Sequence, residues 1–294
     1  MKMEVSHLAG GSVSGVEERA NDESRRTLLE HLPEYLIEAS GLGFFMVSAC
    51  FFAVLIFHPS SPINRSVTSP LALRGLMGAM MGLTAIAIIY SPWGKRSGAH
   101  INPATTLTFL RLGKVAVWDA LLYMLAQFAG GIAGVRLSAL ILGNLISDPS
   151  VNYVATVPGP QGSFAAFIAE TLISFILMTA ILHASNNLRV ARWTGVIAGI
   201  LVATYISIES PISGMSMNPA RTFGSAFSGR NWTALWVYFT APPLGMLSAA
   251  EVYIRTRRTR PVMCAKLHHQ NNQRCIFRCG YKSNQQRQKL TAEC

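Results

Sequence analysis

Apolar residues in this chain come in long blocks, at 35–57, 71–90, 115–142, 164–183, 193–208 and 232–254. Each is near or above the roughly 20 residues that a helix needs to cross about 30 Å of hydrocarbon. Most are apolar all round, with neither the one-sided stripe of a surface helix nor the alternation of a half-buried strand. The pattern predicts six transmembrane helices rather than the core helices of a soluble domain. Residues 1–32 are polar and mixed in charge, and they lack the apolar core and cleavage site of a signal peptide. They read as a flexible cytoplasmic tail.

Two shorter stretches interrupt this pattern and match each other. Ser97-Gly98-Ala99-His100-Ile101-Asn102-Pro103-Ala104 follows the second block, and Ser213-Gly214-Met215-Ser216-Met217-Asn218-Pro219-Ala220 follows the fifth. Asn is a good N-cap, and Pro suits the first helical position because its missing N–H would be unbonded there anyway. Each stretch therefore reads as a loop entering the membrane and continuing as a half-helix. A lone glutamate near the start of the first and fourth blocks, Glu38 and Glu170, is a second echo. Three spans per copy is an odd number, so the copies, about 33–143 and 162–255, must be inverted relative to each other. Inverted repeats place a site near the bilayer midplane. The predicted fold is an all-α membrane protein with six transmembrane helices and two re-entrant half-helices in an inverted 3+3 repeat.

A net charge of +11 would suit nucleic-acid binding if the basic residues formed one patch. Instead they sit at block ends: Lys95, Arg96, Arg111 and Lys114 after the second, Arg189 and Arg192 after the fourth, Arg255, Arg257, Arg258 and Arg260 after the sixth. The other connections carry fewer, with Arg65, Arg221 and Arg230. The positive-inside rule then puts both termini of a multi-pass cell-membrane protein in the cytoplasm, with no nucleic-acid partner. No His-Glu-x-x-His, Gly-x-Ser-x-Gly or paired intramembrane aspartates occur, so no enzyme is expected.

The stretches 97–104 and 214–224, Gln127 and the two span glutamates resemble the aquaporin or major intrinsic protein family, over about 33–254. The resemblance implies an hourglass fold, a homotetramer with one pore per protomer, and passive transport of water with exclusion of protons and ions. It makes Asn102, Pro103, Ala104, Asn218, Pro219 and Ala220 the two pore motifs. Gly98, Ala99, His100, Gly214 and Ser216 become pore-lining loop backbone, with His100 also a candidate pH gate, and Glu38, Glu170 and Gln127 structural supports. Arg221 falls at the outer constriction. Counting back from it adds Ile206, Met215 and either Met81 or Gly82, because an extra residue within 91–96 blurs the register. This wall is more apolar than the family's water-selective set, which leaves open a facilitator of glycerol, urea, ammonia, peroxide or metalloid acids. Thr222 and Ala226 count against glycerol, standing where its facilitators favour an acidic and a basic residue. A closed-pore junction protein is a third reading. An ion channel is opposed by Arg221 and by the positive ends of the half-helices.

The last segment, 256–294, is basic and holds four of the five cysteines. Cys264, His268, Cys275 and Cys279 have a spacing compatible with zinc, and no other cofactor is expected. The plainer alternative is a disordered extension lying on anionic lipid.

Overall fold

A computed structural model describes residues 13–256 and 262–281, with side chains from residue 29 onward. The first half comprises α1 (Val13–Phe57), α2 (Pro62–Ser66), α3 (Pro70–Tyr90), α4 (Pro92–Ser97), α5 (Pro103–Arg111) and α6 (Val117–Leu142). The second half comprises α7 (Gly162–Ser185), α8 (Thr194–Ile208), α9 (Ser210–Ser213), α10 (Pro219–Gly229) and α11 (Leu235–Thr256). There is no strand among the described residues. Sequence chemistry starts several of these helices: Ser61, Ser69, Ser91, Asn102 and Asn218 each precede a proline and accept a hydrogen bond from a first-turn N–H.

Apart from α2, the helices of the first half recur in order in the second. α1 packs on α6 as α7 packs on α11, while α3 and α8 pair across the repeat. Backbones meet where side chains are smallest. A Cβ on Gly82 would lie 2.5 Å from the Gly199 carbonyl oxygen, and one on Gly130 would lie 2.0 Å from that of Ala39. These small residues are therefore helix contacts, the membrane route to close packing.

Five helices are long and apolar enough to span a bilayer, at Leu29–Phe57, Pro70–Tyr90, Val117–Ser147, Gly162–Ser185 and Ala191–Ile208. The sixth, α11, has 22 residues and carries Pro242 and Pro243, which dilute its apolar character. Mid-span side chains such as Phe44, Leu83, Leu125, Leu172 and Ile200 face outward and exposed, an apolar belt suited to a lipid environment. One expectation changes. α1 is helical from Val13, so the segment expected as a flexible tail is helix over 13–32, while residues 1–12 lie outside the described residues.

Candidate functional site

The two matching loops are held by the two span glutamates. Backbone N–H groups of His100 and Ile101 donate to Glu38 at 3.1 and 2.6 Å, and the Ser97 hydroxyl and Gln127 Nε2 donate to it at 2.8 Å each. In the second half, Ser216 N and Met217 N donate to Glu170 at 2.6 and 2.7 Å, and the Ser213 hydroxyl at 2.8 Å. Successive N–H groups converge on one anion because the chain visits the left-handed region repeatedly. Gly98, Ala99 and Ile101 have positive φ, and so do Gly214, Met215 and Met217. Such a nest of amides is an anion-binding concavity, and here a protein carboxylate fills it. Non-glycine residues in this region cost of order 1–3 kcal/mol each, so the glutamates offset strain that the loops would otherwise release.

The loops also hold each other. Asn102 Nδ2 donates to the Met217 carbonyl at 2.7 Å, and Asn218 Nδ2 donates to the Ile101 carbonyl at 2.8 Å. Each Asn Oδ1 caps its own half-helix, through Ala104 N in one case and Ala220 N and Arg221 N in the other. An amide NH₂ has two donors, so one N–H per asparagine remains for whatever occupies the space beside it. Pro103 and Pro219 follow directly as the first residues of α5 and α10.

That space is a cavity of about 260 Å³ running between the halves. Arg74, Val151 and Val154 line one end, Asn102 and Asn218 the middle, and His100, Ile181 and Leu267 the other. Met81, Ile206, Met215 and Arg221 all line it, as do Gly214 and Ser216. Gly82, the alternative to Met81, instead abuts α8 at Gly199. Arg221 is held by its own Nη1 donating to the Val154 carbonyl at 2.9 Å, from the loop between α6 and α7.

The sequence profile of the major intrinsic protein family matches residues 30–253. This chain belongs to the major intrinsic protein family. It is 32% identical over 261 residues to a probable NIP-type aquaporin of Nicotiana alata, covering 87% of this chain and 90% of that one. It is 30% identical over 230 residues to nodulin-26 of Glycine max, covering 78% and 79%. Among solved structures it resembles the X-ray structure of the aquaglyceroporin from Plasmodium falciparum, with a TM-score of 0.63 and 20% identity over 76% of this chain and 95% of that one. As a major intrinsic protein the chain is an integral multi-pass membrane channel for small solutes, not an enzyme.

Some parts of the site were not read from the sequence. Tyr123 of α6 donates to the Ser97 carbonyl at 2.8 Å, and Tyr238 of α11 donates to the Ser213 carbonyl, so each loop carries a tyrosine strut at the same place in the repeat. The signal was present, since each tyrosine follows its Asn-Pro-Ala by a similar interval. Thr106 is a second omission, receiving Gln127 Nε2 at 3.1 Å and sitting 3.0 Å from His100 Nδ1.

The tail supplies a correction. Residues 262–281 do not trail away: His100 Nε2 donates to the Ala265 carbonyl at 2.9 Å, and Leu267 N donates to the Gly98 carbonyl at 3.2 Å. A carbonyl only accepts, which fixes a proton on Nε2. Cys264, Cys275 and Cys279 do gather, but the imidazole among them belongs to His269 and not to the expected His268. His268 faces away, its ring edge-on to Tyr90 at 4.9 Å.

Proposed function

We propose that this channel passes water and admits other small uncharged solutes, while excluding ions and protons at its centre. The observation that carries this reading is the meeting of two capped half-helices at one cavity, with an asparagine N–H from each free of the loop contacts. A half-helix N-terminus contributes roughly half a positive charge. Two of them, with Arg221 nearer one mouth, repel cations. A water whose oxygen accepts from Asn102 and Asn218 turns its hydrogens outward, which interrupts a proton wire. Met81, Ile206, Met215 and Arg221 act as the selective section, and Glu38, Glu170 and Gln127 as supports for the loop backbone that lines the lumen.

A second reading, a facilitator of glycerol, urea, ammonia, peroxide or metalloid acids, draws on the apolar wall of Met81, Ile206 and Met215. Thioethers flex and offer water no donor, so they favour aperture over polarity. The names of the similar proteins divide, since several relatives are called aquaporins and the similar solved structure an aquaglyceroporin. We place the face bearing Lys95, Arg96, Arg111, Lys114, Arg189 and Arg192 in the cytoplasm, with both chain ends there. The assembly is a homotetramer with one lumen per chain.

The test is stopped-flow light scattering of proteoliposomes under an impermeant osmolyte and then under glycerol, urea or boric acid gradients. Fast shrinkage without solute entry establishes water selectivity. Fast solute entry establishes the facilitator.

A further inference from the structure

Residues that line one mouth of a conducting pore should meet water, yet Ala99 and His100 are each 2% exposed. What covers them is 262–281. Phe277 stacks on the His100 ring with centroids 5.3 Å apart and lies so close to Gly98 that a Cβ there would sit 2.8 Å from its ring. Leu267 reaches the lumen itself. The segment is also tied to the surrounding helix ends. Met263 N donates to Asn186 Oδ1 at 2.6 Å, Arg278 N to the Lys114 carbonyl at 3.0 Å, and the Tyr281 hydroxyl to the Ser185 carbonyl at 3.2 Å.

This segment has no regular helix or strand of useful length to hold its shape. A cluster of soft ligands stands in that role. One ligand atom from each of Cys264, His269, Cys275 and Cys279 lies within 4.8 Å of every other. The Cys264 and Cys275 sulfurs are 3.6 Å apart, and Cys279 Sγ is 3.0 Å from His269 Nε2. Zn–S bonds of about 2.3 Å give a tetrahedron edge of ~3.8 Å, so the sulfurs already stand near ligand spacing and too far apart for a disulfide. The Lys266 side chain is 2% exposed and its Nζ donates to the carbonyls of Gln273 and Arg274, which ties the chain beside Cys264 to the chain beside Cys275.

We propose that Cys264, His269, Cys275 and Cys279 bind one zinc ion, and that the metal staples residues 262–281 as a plug in the mouth lined by His100. The staple stands on the cluster alone, while the plug rests on the channel reading. A four-ligand closed site is structural, and because the segment has almost no helix or strand of its own, metal binding is folding energy for it. Loss of zinc therefore frees the mouth.

The experiment uses the full chain purified without chelator. Elemental analysis should find one zinc per chain, absent from Cys264→Ser/Cys279→Ser. Hydrogen exchange at 97–101 and 262–281 should accelerate when zinc is stripped by a strong chelator, and slow again when zinc is restored. Proteoliposome flux should rise several-fold on stripping, and equally in Phe277→Ala with its zinc retained. Metal absent from protein made in zinc-replete medium, a different metal in stoichiometric amount, or a Cys264–Cys275 disulfide in the intact protein would each overturn the staple. Zinc bound but with exchange at 97–101 unmoved by its removal would overturn the plug. Flux that stays at the protein-free level in both states, with exchange responding, would leave the staple and the covering contact standing and would sink the channel reading instead.

Discussion

Glu170→Ala removes the acceptor on which the second re-entrant loop is built. Ser216 N and Met217 N lose bonds of 2.6 and 2.7 Å, and Glu170 is 0% exposed, so no solvent takes over. A buried donor left unpaired costs about 1–3 kcal/mol, or about 2–6 kcal/mol for the two. The Ser213 hydroxyl can rotate towards another acceptor and adds little. Left-handed Met215 and Met217 each hold ~1–3 kcal/mol of strain that the loop releases if it refolds, which offsets part of that loss. The expected cost is on the order of 3 kcal/mol, and it falls on the loop that presents Met215 and Asn218 to the lumen. Glu170→Gln keeps one carbonyl oxygen but turns an NH₂ towards these donors, so about half the loss is expected. Thermal unfolding of detergent-solubilised protein, followed by tryptophan fluorescence, should rank wild type above Gln above Ala, and vesicle permeability should follow the same order. An alanine variant that melts and conducts like wild type would show that the glutamate does not carry the loop. The glutamine variant keeps the ranking testable if the alanine one fails to assemble.

Arg221→Val should leave the melting temperature close to wild type, since one bond to the Val154 carbonyl is lost, and should admit larger or charged solutes in a vesicle uptake assay. Unchanged selectivity in the folded variant would take Arg221 out of the filter. Ile206→His should raise the ratio of water to glycerol permeability by adding a donor and narrowing the apolar wall; a ratio that does not move would place the selective section elsewhere. Gly82→Ala puts a methyl 2.5 Å from the Gly199 carbonyl oxygen and should cost about 1–3 kcal/mol, read as a lowered melting temperature with solute selectivity retained.

Much of the channel was legible because the repeat is written twice. An Asn-Pro-Ala alone starts an ordinary helix, but two with matching Ser-Gly flanks and an odd number of spans between them fix the inverted arrangement. Glu38 and Glu170 were legible as costly groups inside spans that must find donors. What the sequence could not show is pairing over long separations. Nothing local links His100 to Ala265 or Phe277, so the tail read as an appendage. His268 and His269 are neighbours, and ligand-spacing rules tolerate either; only the direction of each side chain separates them. Likewise Met81 and Gly82 were separated by packing, since one lines the cavity and the other meets a glycine backbone. The helix over 13–32 went unread because its residues lack an apolar stripe, the cue on which the reading relied.

The central claim is that small neutral solutes cross through the lumen between Asn102 and Asn218. It is tested most directly by osmotic shrinkage of proteoliposomes after zinc is stripped, recorded across a range of temperatures. The expected result is shrinkage well above that of protein-free vesicles with weak temperature dependence, as for molecules passing a preformed pore. Shrinkage with the rate and steep temperature dependence of bare lipid would contradict the account.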